Sequence, residues 1–104
     1  MLTVNELYPF YLMNIRNGWT TCEKRARETA DKVGIPQEQV EKDLKEALKE
    51  GHKTNYTSFL RCIKSGLITF ETQVRETAEK LGMPEEQVNE DILQAIGEGL
   101  KNSW

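Results

Sequence analysis

The second half of this chain repeats the first at a constant offset of 48 residues. The clearest stretch, RETADKVGIPQEQVEKDLKEALKEG at 27–51, returns as RETAEKLGMPEEQVNEDILQAIGEG at 75–99, with 14 of 25 positions identical. The same register continues upstream without a gap, as in the pair Tyr8/Tyr56. A fixed period of this length is typical of chains that contain copies of one supersecondary unit. We therefore predict two tandem repeats of one architecture.

Each repeat carries apolar residues at the i, i+3, i+4 and i+7 spacing of a buried helix face, and no useful stretch alternates with period two. Glycines follow these segments, and a proline begins the third segment of each repeat. The pattern predicts an all-α fold with six helices, three in each repeat. The predicted helices are Tyr8–Asn17, Thr21–Val33, Pro36–Lys49, Tyr56–Ser65, Thr69–Leu81 and Pro84–Glu98.

One repeat is small for an independent core, since chains below about 40 residues usually need extra cross-links. We therefore predict a single domain over 1–104, with repeat one at about 8–51, a linker at 52–55 and repeat two at about 56–99. The apolar stripe of the second helix includes Trp19 in repeat one and Leu67 in repeat two. The predicted core residues are Leu12, Ile15, Val40, Leu44, Leu60, Ile63, Val88 and Ile92.

Repeat two is apolar where repeat one is polar: Ile68 replaces Thr20, and Leu93 replaces Lys45. The ends of the chain are apolar as well, at Leu2, Val4, Leu100 and Trp104. Two interpretations stay open. These residues either seal a contact between the two halves, or they form a surface for self-association or for a partner, as large exposed apolar patches do.

The second and third helices of each repeat share a small-residue turn and a spaced set of buried residues. The set is Ala30, Gly34, Val40, Leu44 and Gly51, and again Ala78, Gly82, Val88, Ile92 and Gly99. This pattern resembles the core of the helix-turn-helix family, in a form that has no room for a wing. The resemblance implies a tri-helical shape, and it makes DNA binding one candidate function.

Charge disfavours that function. The chain has a net charge of −3 and a pI near 5.2, and the third helix of repeat two has no basic residue between 84 and 98. DNA-binding surfaces usually present several basic side chains to the phosphates. The basic residues of this chain lie elsewhere, and the one candidate basic patch contains Arg16, Lys24, Arg25 and Arg27.

We therefore expect a small acidic helical protein-binding module that regulates, inhibits or bridges a partner protein. The alternatives are a DNA-binding transcriptional regulator with two helix-turn-helix copies in one chain, and a structural subunit of a larger assembly. We expect a cytoplasmic monomer or homodimer. The predicted contact surface is the acidic face of the third helices, with Glu41, Asp43, Glu85, Glu86, Glu90 and Asp91.

Catalytic, metal and cofactor sites are not expected. The sequence has one histidine, His52, and two cysteines, Cys22 and Cys62, that occupy non-equivalent repeat positions. We expect both cysteines to be free thiols that fill space, since Cys22 aligns with Phe70 and Cys62 with Asn14, and disulfides are rare in a reducing cytoplasm. The chain contains no catalytic motif, no apolar stretch of membrane-spanning length and no signal-peptide pattern, so we expect neither an enzyme nor a membrane protein.

Overall fold

The computed structural model describes residues 3–102, and this part of the chain is all-α, without any strand. Its five α-helices are α1 (Val4–Arg16), α2 (Glu23–Val33), α3 (Gln37–Lys64), α4 (Glu71–Leu81) and α5 (Glu85–Asn102). Short 3-10 helices, Thr20–Cys22 and Ile68–Phe70, precede α2 and α4. The predicted fold class is therefore confirmed.

The predicted break between the third and fourth helices is wrong. Residues Gln37–Lys64 form one helix of 28 residues that runs through the predicted linker at 52–55. Gly51 was interpreted as a helix end, but it is buried inside α3, where an added Cβ would collide with the carbonyl oxygen of Ile15. Glycine is needed there because the backbones of α1 and α3 approach closely.

Gly99 serves the same purpose in α5, which continues past it to Asn102. A Cβ at Gly99 would collide with the carbonyl oxygen of Ile63 in α3. Both glycines therefore mark close helix packing and not helix ends, and a sequence pattern alone does not distinguish the two.

Two other glycines do end helices, as predicted. Gly34 and Gly82 follow α2 and α4 with φ of +78° and +70°, the left-handed conformation that glycine adopts at least cost. The next residues close the turn, since the Ile35 amide donates to the Ala30 carbonyl at 2.9 Å and the Met83 amide to the Ala78 carbonyl at 3.0 Å. These are Schellman turns, and they set the direction in which the following helix leaves.

The chain divides into two compact units, one up to Gly51 and the other from His52. The first unit contains α1, α2 and the first half of α3, and its buried core is Tyr8, Leu12, Ile15, Ala26, Ala30, Val40, Leu44 and Ala47. The second contains the rest of α3 with α4 and α5, and its buried core is Tyr56, Ile63, Val74, Ala78, Val88, Ile92 and Ala95. Seven of the eight predicted core residues are buried, and Leu60 is half-buried.

Trp19 and Leu67 were predicted to be buried in the stripe of the second helix, and both are exposed, with Trp19 at 68%. Each residue precedes a 3-10 helix and has a non-helical backbone, with φ −85° and ψ 64° at Trp19 and φ −88° and ψ 71° at Leu67. The helical spacing counted back from the buried part of α2 or α4 therefore does not extend to these residues.

Candidate protein-binding surface

Two of the predicted contact residues, Asp43 and Asp91, are used inside their own units. The Tyr8 hydroxyl donates a hydrogen bond of 2.8 Å to Asp43 Oδ2, and Gln39 Nε2 donates one of 2.7 Å to Asp43 Oδ1. Both carboxylate oxygens of Asp43 therefore have a partner within the unit.

Asp91 has the same arrangement one repeat later. Tyr56 Oη donates to Asp91 Oδ2 at 2.6 Å, and Gln87 Nε2 donates to Asp91 Oδ1 at 2.9 Å. Burial, reinforced by the hydrogen bond to the aspartate and by its negative charge, raises the pKa of Tyr56, and the pKa of Tyr8 rises for the same reasons. The hydrogen bond to Asp43 thus joins α1 to α3 in the first unit, and the one to Asp91 joins α3 to α5 in the second.

Glu41, a third predicted contact residue, is paired with Arg27 of the predicted basic patch. Both guanidinium Nη atoms donate to the carboxylate, with Nη2 to Oε2 at 3.4 Å, and Arg27 Nε lies 3.8 Å from Glu23 Oε2. The hydrogen bond from Arg27 lowers the pKa of Glu41 and raises the pKa of Arg27. The pair links α2 to α3 at the surface.

The rest of the basic patch is small. Arg16 Nε lies 3.1 Å from Glu50 Oε2, so this cation is paired as well. Lys24 and Arg25 are exposed on α2, and neither forms an ion pair within residues 3–102. Two neighbouring cations are fewer than the several phosphate contacts on which nucleic-acid binding normally depends.

The remaining predicted contact residues, Glu85, Glu86 and Glu90, are all exposed on α5. None of the three forms an ion pair with another residue of the described chain. Glu85 and Glu86 lie in the first turn, where carboxylates interact favourably with the positive end of the helix dipole. Glu90 lies beyond that turn and has no such stabilisation.

Exposed apolar residues continue the line of these glutamates along α5. Residues 86, 90, 93, 97 and 100 follow one another at spacings of three and four, so they form one stripe on the helix surface. Leu93 is 70% exposed and Leu100 is 50% exposed. We call this stripe the α5 outer face, and it consists of Glu86, Glu90, Leu93, Gly97 and Leu100.

The equivalent stripe of the first unit has a different chemistry. At the same repeat positions the first unit carries Glu38, Lys42, Lys45 and Lys49 on α3, and the last position of the stripe is His52, where the second unit begins. Three lysines therefore stand where the α5 outer face has a glutamate, a leucine and a glycine. Two helices with equivalent buried positions thus expose different surfaces, because the α3 stripe is mostly basic and the α5 outer face combines acidic and apolar residues.

Each unit also has an open groove between its last two helices, of about 320 Å³ in the first unit and about 370 Å³ in the second. The groove of the second unit is lined by Arg75, Ala78, Glu79, Met83, Glu85 and Val88. The first groove is lined by the residues 48 positions earlier. The described lining residues of both grooves combine apolar side chains with charged or polar ones, and they include no His, Cys or Ser.

Other reactive groups are scattered. Cys22 and Cys62 are half-buried free thiols. Burial, together with the positive charge of Lys80, lowers the pKa of His52.

Within residues 3–102 no cluster of three or more His, Cys, Asp or Glu could hold a metal ion. No helix in the same part of the chain is both long and apolar enough to cross a bilayer.

The structure gives the exposure of part of the apolar set. Leu93, Leu100, Val4 and Ile68 are exposed and not buried in the core of a unit. Leu2 and Trp104 lie outside the described residues. Sequence reasoning passed over Phe10 and Met13, which are exposed on α1 at positions that repeat two fills with Ser58 and Arg61.

Comparison of the chain with protein-family models, with curated proteins and with solved structures gives no match.

Proposed function

We propose that this chain is a protein-binding module and that it contacts its partner through the α5 outer face. The observation that carries the proposal is the exposure of Leu93, at 70%, on a line with Glu86 and Glu90. Isolated exposed leucines are common on protein surfaces. Here Leu93 and Leu100 continue a row of glutamates that have no ion pair in the described chain, and such mixed surfaces are typical of recognition sites.

Burial of these leucines by a partner would supply the favourable free energy. Full burial of a leucine side chain stabilises a complex by about 1.5–3 kcal/mol relative to its exposed state. The glutamates would mainly set the encounter rate and exclude acidic partners, because exposed charges contribute more to steering and specificity than to affinity. A regulator, an inhibitor and a bridging protein would all use the surface in this way.

The repeats then form the scaffold for one binding surface. We propose that each unit is a tri-helical repeat, which the paired Tyr–Asp hydrogen bonds, Schellman turns and close-packing glycines support. A single domain over 1–104 stays a prediction. The first unit, with lysines on the equivalent stripe, would serve as scaffold and spacer, so the duplication does not by itself imply two binding sites.

DNA binding is less well supported. The α5 outer face would repel phosphates, and Arg16 and Arg27 of the predicted basic patch are engaged with glutamates. A titration of the chain with mixed-sequence DNA at low salt addresses this alternative directly, because even a weak DNA-binding surface gives nonspecific association under those conditions.

The proposal is tested by charge reversal on α5. Glu85→Lys, Glu86→Lys and Glu90→Lys are combined in one variant, and proteins captured from the native source by this variant and by the parent are compared by quantitative mass spectrometry. Asp91 is left unchanged because it binds Tyr56. We expect a partner that the parent captures and the triple variant does not.

A matched control changes the same amount of charge in the first unit. Glu28→Lys, Glu38→Lys and Glu46→Lys alter three exposed glutamates of the first unit. This control should keep the partner. Equal capture by all three proteins, or loss only with the control, would show that α5 is not the contact.

A further inference from the structure

Three features of the α5 outer face are unfavourable for an isolated helix. Glu86 and Glu90 are like charges at i, i+4, a spacing at which repulsion destabilises a helix. Gly97 is exposed within the helix, where glycine is less stable than alanine. Leu93 and Leu100 are exposed to water.

The first unit avoids all three features at the equivalent positions. Lys42 follows Glu38 at i, i+4 in the favourable orientation, and Lys49 replaces the glycine. Positions at which a sequence departs from local helix preferences without a structural gain are frequently functional positions. The helix itself therefore does not account for the composition of the α5 outer face.

Gly97 differs from the close-packing glycines. A Cβ at Gly97 would have no heavy atom within 4 Å, whereas Cβ atoms at Gly51 and Gly99 would meet backbone. No group of the described chain therefore requires a glycine at this position. Because Gly97 has no side chain and the space around its Cα is open, the α5 outer face is lower between Leu93 and Leu100, one turn from each. We call this place the depression at Gly97; it leaves room for a side chain of another molecule.

From these observations we propose that the α5 outer face binds a basic amphipathic helix. The inference rests on the proposed function and names its partner class. The stripe from Glu86 to Leu100 is about 21 Å long at 1.5 Å per residue, so a helix of about 15 residues covers it. An apolar side chain of this helix enters the depression at Gly97, between the leucines, and its Lys or Arg residues lie opposite the glutamates.

Charge complementarity favours this occupant over a second molecule of the same chain. The α5 helix has five acidic residues and one basic residue, Lys101. Exposed apolar residues on α1 include Phe10 and Met13, but the acidic Glu6 lies in the same helix, and that helix has Arg16 as its only cation. A basic amphipathic helix complements both the glutamates and the leucines. In a second molecule, α1 complements only the leucines, and the α3 stripe with Lys42, Lys45 and Lys49 has none of the exposed large apolar residues of the described chain, so it complements only the glutamates.

The test uses three synthetic 18-residue helical peptides and the full chain. The first peptide has a leucine stripe with lysines on its polar face, the second has glutamates in place of the lysines, and the third is a scramble of the first without a stripe. Binding is followed by fluorescence anisotropy and by amide shifts in 15N-labelled protein. We expect the first peptide to bind and to shift amides along α5, and each of the others to bind at least about tenfold more weakly.

Variants of the chain locate the site. Leu93→Lys introduces the lysine that the first unit has at the equivalent position, Lys45, and Gly97→Ala fills the depression. Each change should weaken binding of the first peptide at least about fivefold. Gly97→Ala should raise the melting temperature at the same time, which shows that the loss is not due to unfolding. The matched control, Phe10→Ser, installs the repeat-two residue on α1 and should bind the peptide as the parent does.

Several outcomes would overturn the inference. These are equal binding of the glutamate peptide, unchanged binding by Leu93→Lys, and loss of binding in Phe10→Ser. Sedimentation that shows a dimer in the parent and a monomer in Leu93→Lys would instead assign the face to a second molecule. If the peptides do not bind while partner capture still depends on Glu85, Glu86 and Glu90, the inference fails and the proposed function stands.

Discussion

The phenol of Tyr8 and the carboxylate of Asp43 join the first and last helices of their unit through a hydrogen bond of 2.8 Å. Tyr56 and Asp91 form the same bond 48 residues later, at 2.6 Å. Aspartates that sequence reasoning assigned to a binding surface thus have a structural partner. Of the predicted contact residues, Glu85, Glu86 and Glu90 on α5 are the ones without an ion pair or side-chain hydrogen bond in the described chain.

Removal of one tyrosine hydroxyl should destabilise the chain measurably. Tyr56→Phe deletes the donor to Asp91 and leaves Gln87 as its remaining partner. We expect a loss of about 1.5–3 kcal/mol in the free energy of unfolding, the range for a hydrogen bond to a charged group. Urea denaturation measures it. Tyr11→Phe is the control, because no hydrogen bond of the Tyr11 hydroxyl occurs within residues 3–102, and an equal loss there would contradict the assignment.

The same tyrosines should make stability fall at high pH. Their pKa values are raised by burial and by the aspartates, whereas an unfolded tyrosine titrates near pH 10. Below about pH 10 the hydroxyls are protonated in both the folded and the unfolded state, so their contribution to the free energy of unfolding is complete. Above about pH 10 the unfolded chain loses these protons before the folded chain does, so the free energy of unfolding decreases as the pH rises. Melting temperatures between about pH 8 and pH 11 should fall more steeply for the parent than for Tyr8→Phe/Tyr56→Phe. If the melting temperatures of the parent and of the double variant fell equally with pH, the tyrosine hydroxyls would not contribute to the pH dependence.

Truncation to alanine should lower stability strongly on the buried face of α5 and little on its exposed face. Ile92 is 2% exposed and its neighbour Leu93 is 70% exposed. Ile92→Ala should cost about 2–5 kcal/mol through lost transfer free energy and a residual cavity, whereas Leu93→Ala should stay within about 0.5 kcal/mol of the parent. Chemical denaturation of the two variants tests the helix phase, and similar losses would show that this phase is wrong.

The repeat pattern was sufficient to predict much of the fold. Period and spacing gave the all-α class, the turns at Gly34 and Gly82, and most of the core. The role of Gly51 could not be read from sequence, because glycine permits both a helix end and a close backbone approach. The pairing of Asp43 with a tyrosine 35 residues away is tertiary, and local spacing does not reveal it.

The candidate surface was predicted only in part. Glu85, Glu86 and Glu90 are exposed as expected, but nothing in the spacing separated them from Asp91 or Glu41, which have partners within the fold. Leu93 was recognised as unusual because the repeat has Lys45 at that position. Its exposure follows from how α5 packs within its own unit, which local spacing does not reveal.

Two glycines inside helices should respond to alanine in opposite directions. Gly51→Ala places a Cβ against the backbone of Ile15 and should destabilise the chain. Gly97→Ala meets open space and should stabilise it by about 0.5–1 kcal/mol, the helix preference of alanine over glycine. Thermal unfolding of both variants checks the difference in sign. Stabilisation by Gly51→Ala would contradict the close approach of α1 and α3.

Glu90→Lys should raise the free energy of unfolding and weaken binding at the α5 outer face. The change removes the repulsion between Glu86 and residue 90 and creates a favourable Glu–Lys pair at i, i+4, which together are worth about 0.5–1 kcal/mol. The same change places a positive charge on the α5 outer face and should weaken binding of the lysine–leucine peptide. Urea denaturation and anisotropy on one protein preparation give both quantities.

The control is Lys42→Glu, which creates the like-charge pair in the first unit; it should lower stability and leave peptide binding unchanged. If Glu90→Lys raised stability without any loss of binding, the glutamate would have no role in recognition, and the acidic half of the α5 outer face would be an ordinary solvated surface.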